Sequence, residues 1–371
     1  MRAKTLELLG VPTPRLNPDL KGQAKAEREF LQEFGTGQMH HAWLISGPRG
    51  IGKATFAYRV ARYVLAHKSL IQEDPAQTLD FVYNSHTENS DASDVTMCLD
   101  HQHPVFRRVA SGTHADFLSI ERGVDEKTKI VRKEIIVEDV RAIRSFLNKT
   151  PVEAGWRVVL IDAADEMTIS AENALLKVLE EPPRRALLLL VSHNPNSLLA
   201  TSRSRCRQLC LKPLDTSILT TIIRGYAPKT NDEDLKILLA LSNGSLGLAL
   251  RLLEHDGLEI YRSTNTLLSN LIDLNILDLY NLSDKIAKDN NHDSFLIFRL
   301  ILNYWLTETV KSKAVLGARY ELDITKWIDI REEVNNLFNK AESVNLDPKQ
   351  VVLNVFFAIA AVEQDDFRGV Q

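Results

Sequence analysis

The stretch "HAWLISGPRGIGKATFAYRVARYVL" (41–65) limits what this chain can become more than any other. An apolar run, a glycine-rich turn and a helical pattern follow one another without a gap, so a strand feeds a helix through a tight loop. Gly47, Gly50 and Gly52 let successive backbone N–H groups converge on an anion, and the helix N-terminus adds a favourable partial charge. Lys53 follows at the place from which an ammonium reaches the β and γ phosphates of ATP. The spacing G-x-x-x-x-G-K-[ST] breaks only at its last position, where Ala54 replaces the hydroxyl that would hold Mg²⁺. Thr55 stands one residue on, about 100° further round the helix, and is not placed to substitute directly. Binding of Mg-nucleotide is therefore expected to be weakened rather than abolished.

Short apolar runs alternate with helical patterns through the first two hundred residues, which implies a parallel sheet with helices on both faces. Strands are expected at 41–47, 116–121, 157–163, 186–192 and 207–212, with near-continuous Leu, Ile and Val content that suits strands covered on both faces. Helices are expected between them at 53–66, 137–147, 170–180 and 197–201. The polar, acidic segment "NSHTENSDASD" (84–94) reads as a mobile insertion within about 67–115. Beyond Pro213 only helical patterns remain, at 215–226, 232–242, 246–254, 257–272, 275–289, 293–312, 324–342 and 347–363. The stretch at 293–310 is apolar almost all round, as befits a helix buried in a bundle or between subunits. The domains expected are an α/β domain at 1–213, a small helical lid at 214–255 and a separate helical bundle at 256–371.

A second motif, "WRVVLIDAADEM", places Asp162 at the C-terminal end of an apolar strand, where a carboxylate holds the metal of a phosphate-loop enzyme. The neighbouring position, which often carries a water-polarising Glu, is Ala163. Asp165 and Glu166 belong to the following turn and read as helix capping or solvated surface. Two chemical losses thus point the same way, and autonomous catalysis is not expected.

Composition narrows the setting. A net charge of −4 argues against a generic DNA-coating protein, and pairs such as Arg107–Arg108, Arg132–Lys133 and Arg184–Arg185 read as solvated surface. No apolar run approaches the roughly 20 residues that span a bilayer. The N-terminal twenty residues carry no signal-like apolar stretch, and three cysteines fit a reducing compartment, so a cytoplasmic location is expected.

The segments "SAENALLKVLEEPP" (170–183), "ATSRSRCRQLCL" (200–211), "LNPDLKGQ" (16–23) and "IIVEDVRAIRSFL" (135–147) together resemble the clamp-loader branch of the AAA+ superfamily, over about residues 15–255. In that family "LNPDLKGQ" corresponds to an N-terminal strand ahead of the nucleotide pocket, and the helical remainder to a collar. The resemblance implies a hetero-pentamer of motor and delta-type subunits that loads a sliding clamp on primer-template DNA. It further implies that Arg205, in the Ser204-Arg205-Cys206 segment, projects as an arginine finger into a neighbour's ATP site. Motor subunits of the family carry Ser or Thr after the loop Lys, Asp-Glu at the second motif, and an Arg in "GSxR". Here Ala54, Ala163 and Gly247 stand at those places, which fits a stator-like, non-motor member. Polymerase activity would belong to other chains. The alternatives are a working ATPase rescued by Thr55 and Glu166, or a scaffold with no part in ATP chemistry.

The family's four-cysteine zinc module is reduced here to Cys98 with His101, His103 and His114, a C-x₂-H-x-H pattern unlike a structural zinc site, so no zinc is expected. Its helical shape is expected to survive around "HPVFRRVASGTHADF" (103–117), and Cys206 and Cys210 read as buried apolar residues.

Overall fold

The computed structural model describes residues 10–36, 39–67, 97–125, 130–153, 155–289, 292–320, 324–344 and 346–369. The expected mobile insertion at 84–94 lies outside the described residues. The chain divides into two compact units, Met1–Pro228 with Gly244–Leu248, and Lys229–Asn243 with Ala249–Gln371.

The first unit is built on a five-stranded parallel sheet: β1 (Ala42–Ser46), β2 (Phe117–Ile120), β3 (Arg157–Asp162), β4 (Ala186–Ser192) and β5 (Arg207–Cys210). Their spatial order is β2-β3-β4-β1-β5, and each neighbouring pair is parallel. The "ALLLLVS" run makes β4, which is wholly buried in the middle of the sheet. Side chains of a strand alternate between its faces, and this divides the leucines. Leu187, Leu189 and Val191 enter a core with α1 (Ala24–Gly35), α2 (Lys53–Ala66) and α3 (Pro104–Ser111). Leu188 and Leu190 enter another with α4 (Val137–Leu147) and α5 (Ile169–Glu180). The α/β class, with helices on both faces, is as the sequence implies.

The structure departs from expectation in several places. Residues 16–23 form no strand: Arg59 and Arg62 of α2 donate to the carbonyls of Pro18 and Asn17, and so take groups a sheet neighbour would have used. Helix α1 was not anticipated, although its Phe30, Leu31 and Phe34 share a buried face. Cys210 is exposed, because β5 is an edge strand whose only buried residue is Leu209. The segment expected to be helical at 197–201 is a short helix α6 (Ala200–Arg203), preceded by a 3₁₀ turn at Pro195–Ser197 and an extended Leu198. Helix α7 (Thr216–Tyr226) completes the first unit, together with the return segment Gly244–Leu248.

The remainder is helical. Helix α8 (Asp232–Ser242) starts where Asn231 accepts the Asp234 N–H at 2.7 Å, and α9 spans Leu246–Glu254. The bundle then runs through α10 (Gly257–Ser269), α11 (Ile276–Ala287), α12 (Asp293–Tyr320), α13 (Ile324–Val344) and α14 (Pro348–Gly369). The apolar stretch expected to be buried forms the first part of α12. Its Phe298 packs on Phe338 of α13 and Phe356 of α14, with ring centroids 6.1 and 6.0 Å away. No helix among the described residues is long and apolar enough to cross a membrane.

Candidate functional site

The glycine loop joins β1 to α2 at the C-terminal edge of the sheet, where open α/β sheets hold their ligands. Gly47, Gly50 and Gly52 all have positive φ, at 141, 78 and 97°. Gly47 also lies so near β5 that a β-carbon there would stand 2.5 Å from the Leu211 carbonyl oxygen. Gly52 forms the N-cap of α2, so the first turn's N–H groups face the loop without a side-chain cap.

The loop is closed upon itself. Lys53 is buried, and its Nζ donates to the carbonyls of Gly47, at 2.6 Å, and Pro48. Burial pulls its pKa down to about 8, partly opposed by the carboxylates of Asp165 and Asp162. Behind the loop, Ser245 Oγ donates to the Arg49 carbonyl at 2.8 Å, and the Gly247 N–H donates to the Gly50 carbonyl at 2.8 Å. A β-carbon on Gly247 would stand 2.8 Å from the Gly50 α-carbon. No arginine fits at 247 in this arrangement, which gives a steric reason for the departure noted at that position. Gln23 holds the loop from the other side, its Nε2 donating to the carbonyls of Lys212, at 2.9 Å, and Ile51, at 3.3 Å.

The acidic residues have other employment. Asp162 ends β3 at intermediate exposure, near enough to Lys53 to favour its charged form. Asp165 accepts the His193 N–H at 3.0 Å. Glu166 is neither a cap nor solvated surface: one carboxylate oxygen meets Arg49 at 3.1 Å and the other meets Arg122 at 2.9 Å. Both oxygens of this carboxylate are thus engaged by guanidinium groups. Ala54 offers no metal ligand, and Thr55 is buried within α2. Lys53 thus closes the loop on its own carbonyls, and Ala54 with the buried Thr55 leaves no free hydroxyl there for the magnesium of an ATPase.

Arg205 lies away from these groups in the turn between α6 and β5, and its side chain is 35% exposed. Its Nη1 donates to the Thr201 carbonyl at 2.8 Å, and its Nη2 meets Glu180 at 2.9 Å. Cys206 beside it is buried, and its thiol is pushed up to about 12 by burial and then by the Glu172 carboxylate. In the reduced zinc region, His103 accepts the Val105 N–H as the N-cap of α3, and His114 accepts the Asp116 N–H. Among the described residues no cluster of His, Cys, Asp and Glu could hold a metal.

Gln23, Ser245 and the pairing of Glu166 were not found from sequence. Ser245 and Gly247 lie about two hundred residues beyond the loop they support, and no local pattern announces such a contact.

A family model described as "DNA polymerase III, delta subunit" matches residues 22–215, just over half of the chain. Among curated proteins, the DNA polymerase III subunit delta′ of Pseudomonas aeruginosa is 35% identical over 224 residues, 60% of this chain and 58% of that protein. The corresponding subunit of Escherichia coli K12 is 30% identical over 248 residues, covering 66 and 61%. The DNA polymerase III subunit gamma of Buchnera aphidicola from Schizaphis graminum is 29% identical over 285 residues, covering 76 and 66%. The chain thus spans about three fifths of the delta′ relatives' length and somewhat more of the gamma relative's.

Proposed function

Because the chain belongs to the DNA polymerase III delta subunit family, we propose that it works as a delta-prime-type, non-motor subunit of a clamp loader. In this reading it assembles with motor and delta-type subunits in a hetero-pentamer that places a sliding clamp on primer-template DNA. Its stator-like part is to hold the geometry of the ring and to present Arg205 to a neighbour's ATP. Residues 214–255 act as a lid and 256–371 as the collar, with the apolar part of α12 as the anchor of subunit contact.

One observation carries the reading: the loop keeps its glycines at positive φ and its Lys, while several groups that hydrolysis needs are missing or occupied. Ala54 and Ala163 lack ligands, Glu166 is tied to two arginines, and Lys53 is turned to its own loop. A planar guanidinium at 205 is what such a chain has left to contribute. Supplied to a transferring phosphoryl group, an arginine is worth about 10³–10⁵ in rate in other NTPases. Mg-nucleotide binding to this chain's own loop is weak, and hydrolysis by the isolated chain is absent.

The test is ATP turnover by the assembled loader, with clamp and primed DNA, for the wild type and for Arg205→Ala. Assembly is followed in parallel by gel filtration. Loss of a large part of the turnover with an intact pentamer supports the finger. Unchanged turnover in an intact pentamer reduces the chain to a scaffold, and turnover by the chain alone would favour a working ATPase.

A further inference from the structure

The ion pair between Arg205 and Glu180 joins the exposed arginine to the last residue of α5. Helix α5 ends there because Pro182 and Pro183 follow: proline lacks the donor that would continue the helix and restricts the residue before it. A carboxylate in this position faces the negative end of the helix dipole, where a cation is preferred. Its placement is unfavourable to α5 by itself, and the arginine offsets it.

The backbone around Arg205 is fixed by the same helix. Glu172 of α5, which is buried, accepts the Leu199 N–H at 2.8 Å and so holds the start of α6. Ser202 is buried before the arginine and Cys206 after it. Both ends of the turn are thus anchored, and the freedom that remains is in the Arg205 side chain. Glu180 is itself 49% exposed. A pair this open to solvent favours the paired state by a factor of about five at most.

We propose that Glu180 is a positioning residue that occupies Arg205 as an internal stand-in for the neighbour's phosphate, and so raises the ATP concentration at which the finger engages. The proposal rests on the finger reading of Arg205. A phosphate reaching the guanidinium either displaces the carboxylate or shares the arginine with it. In both cases the negative charge of Glu180 opposes the incoming anion, by competition or by neutralising its partner. The exchange is cheap because the pair is weak, so the arginine is held in position without being locked.

Glu180→Gln keeps the acceptor oxygen and removes the charge. The experiment measures half-saturating ATP and maximal turnover of the assembled loader with clamp and primed DNA, at low and moderate salt, beside Arg205→Ala. The expected result is a half-saturating ATP concentration lower by about two- to five-fold in Glu180→Gln, with maximal turnover within a factor of two, and a smaller difference at higher salt. Glu180→Asp, which keeps the charge, should stay near the wild type. If Glu180→Gln leaves half-saturation unchanged while Arg205→Ala still loses turnover, the stand-in is refuted and the finger survives. A fall in maximal turnover at unchanged half-saturation would instead make Glu180 a rigid support, and would also refute the proposal. If Arg205→Ala has no effect on turnover, the finger and the stand-in fall together.

Discussion

At the scale of single residues, Lys53 is the group whose environment differs most from what its place in the motif suggests. Its folded pKa of about 8 lies below the ordinary 10.5, with burial as the largest cause. The native state therefore sheds this proton first, and between those two pH values the unfolded chain holds more protons. Stability from this group rises with pH across that window. Urea unfolding of the wild type and of Lys53→Met from pH 7.5 to 10.5 should show the wild type gaining, relative to the variant, on the order of 3 kcal/mol. A flat difference would mean that the ammonium is better solvated than its burial indicates. Gly247 makes the complementary case for a residue without a side chain. Its N–H and α-carbon lie directly on Gly50, so Gly247→Ala should cost about 1–3 kcal/mol of stability. A loss below about 0.5 kcal/mol in denaturant titration would show that the loop yields freely.

At the scale of elements, two buried charged side chains hold the backbone of the link between α4 and β3. Arg157 is buried and donates to the carbonyls of Phe146 and Thr150, while Asp116, 3.7 Å away, accepts the N–H groups of Val152 and Glu153. Asp116→Ala leaves the guanidinium buried without its counter-charge and should destabilise the chain by about 3–5 kcal/mol, measured in guanidinium chloride. A loss near 1 kcal/mol would show that the carbonyls alone suffice. The same kind of pair explains which elements could be read from the sequence. The runs at 186–192 and 157–163 are apolar on both faces, so β3 and β4 were legible, as was the loop between β1 and α2. Helix α1 was not, because its buried face includes Glu27, whose carboxylate meets Arg59 of α2 at 2.5 Å. Pattern reading assigns both charges to solvent, and only the paired arrangement shows that they lie inside. In the site, the glycines, Lys53 and the absence of a hydroxyl at Ala54 were legible because they are neighbours in sequence. The double pairing of Glu166 was not, since Arg49 and Arg122 reach it from two other parts of the fold.

At the scale of the whole molecule, each unit has a core of its own. In the helical unit Phe298 is fully buried and its ring meets residues of two further helices. Phe298→Ala should cost this unit about 3–5 kcal/mol. Calorimetry of the full chain should show the loss in unfolding, and an unchanged profile would deny this ring its part in the core. Neither unit is continuous in sequence: the chain leaves the first at Pro228, comes back for Gly244–Leu248, and leaves again. A fragment ending at Pro228 would keep all five strands and every glycine of the loop, yet lack Ser245 and Gly247, which support that loop from behind. Its phosphate loop would be a different object from the one in the intact chain. Nucleotide affinity measured on such a fragment would describe the fragment alone, and a short peptide carrying residues 244–248 would be the missing part to add back in trans.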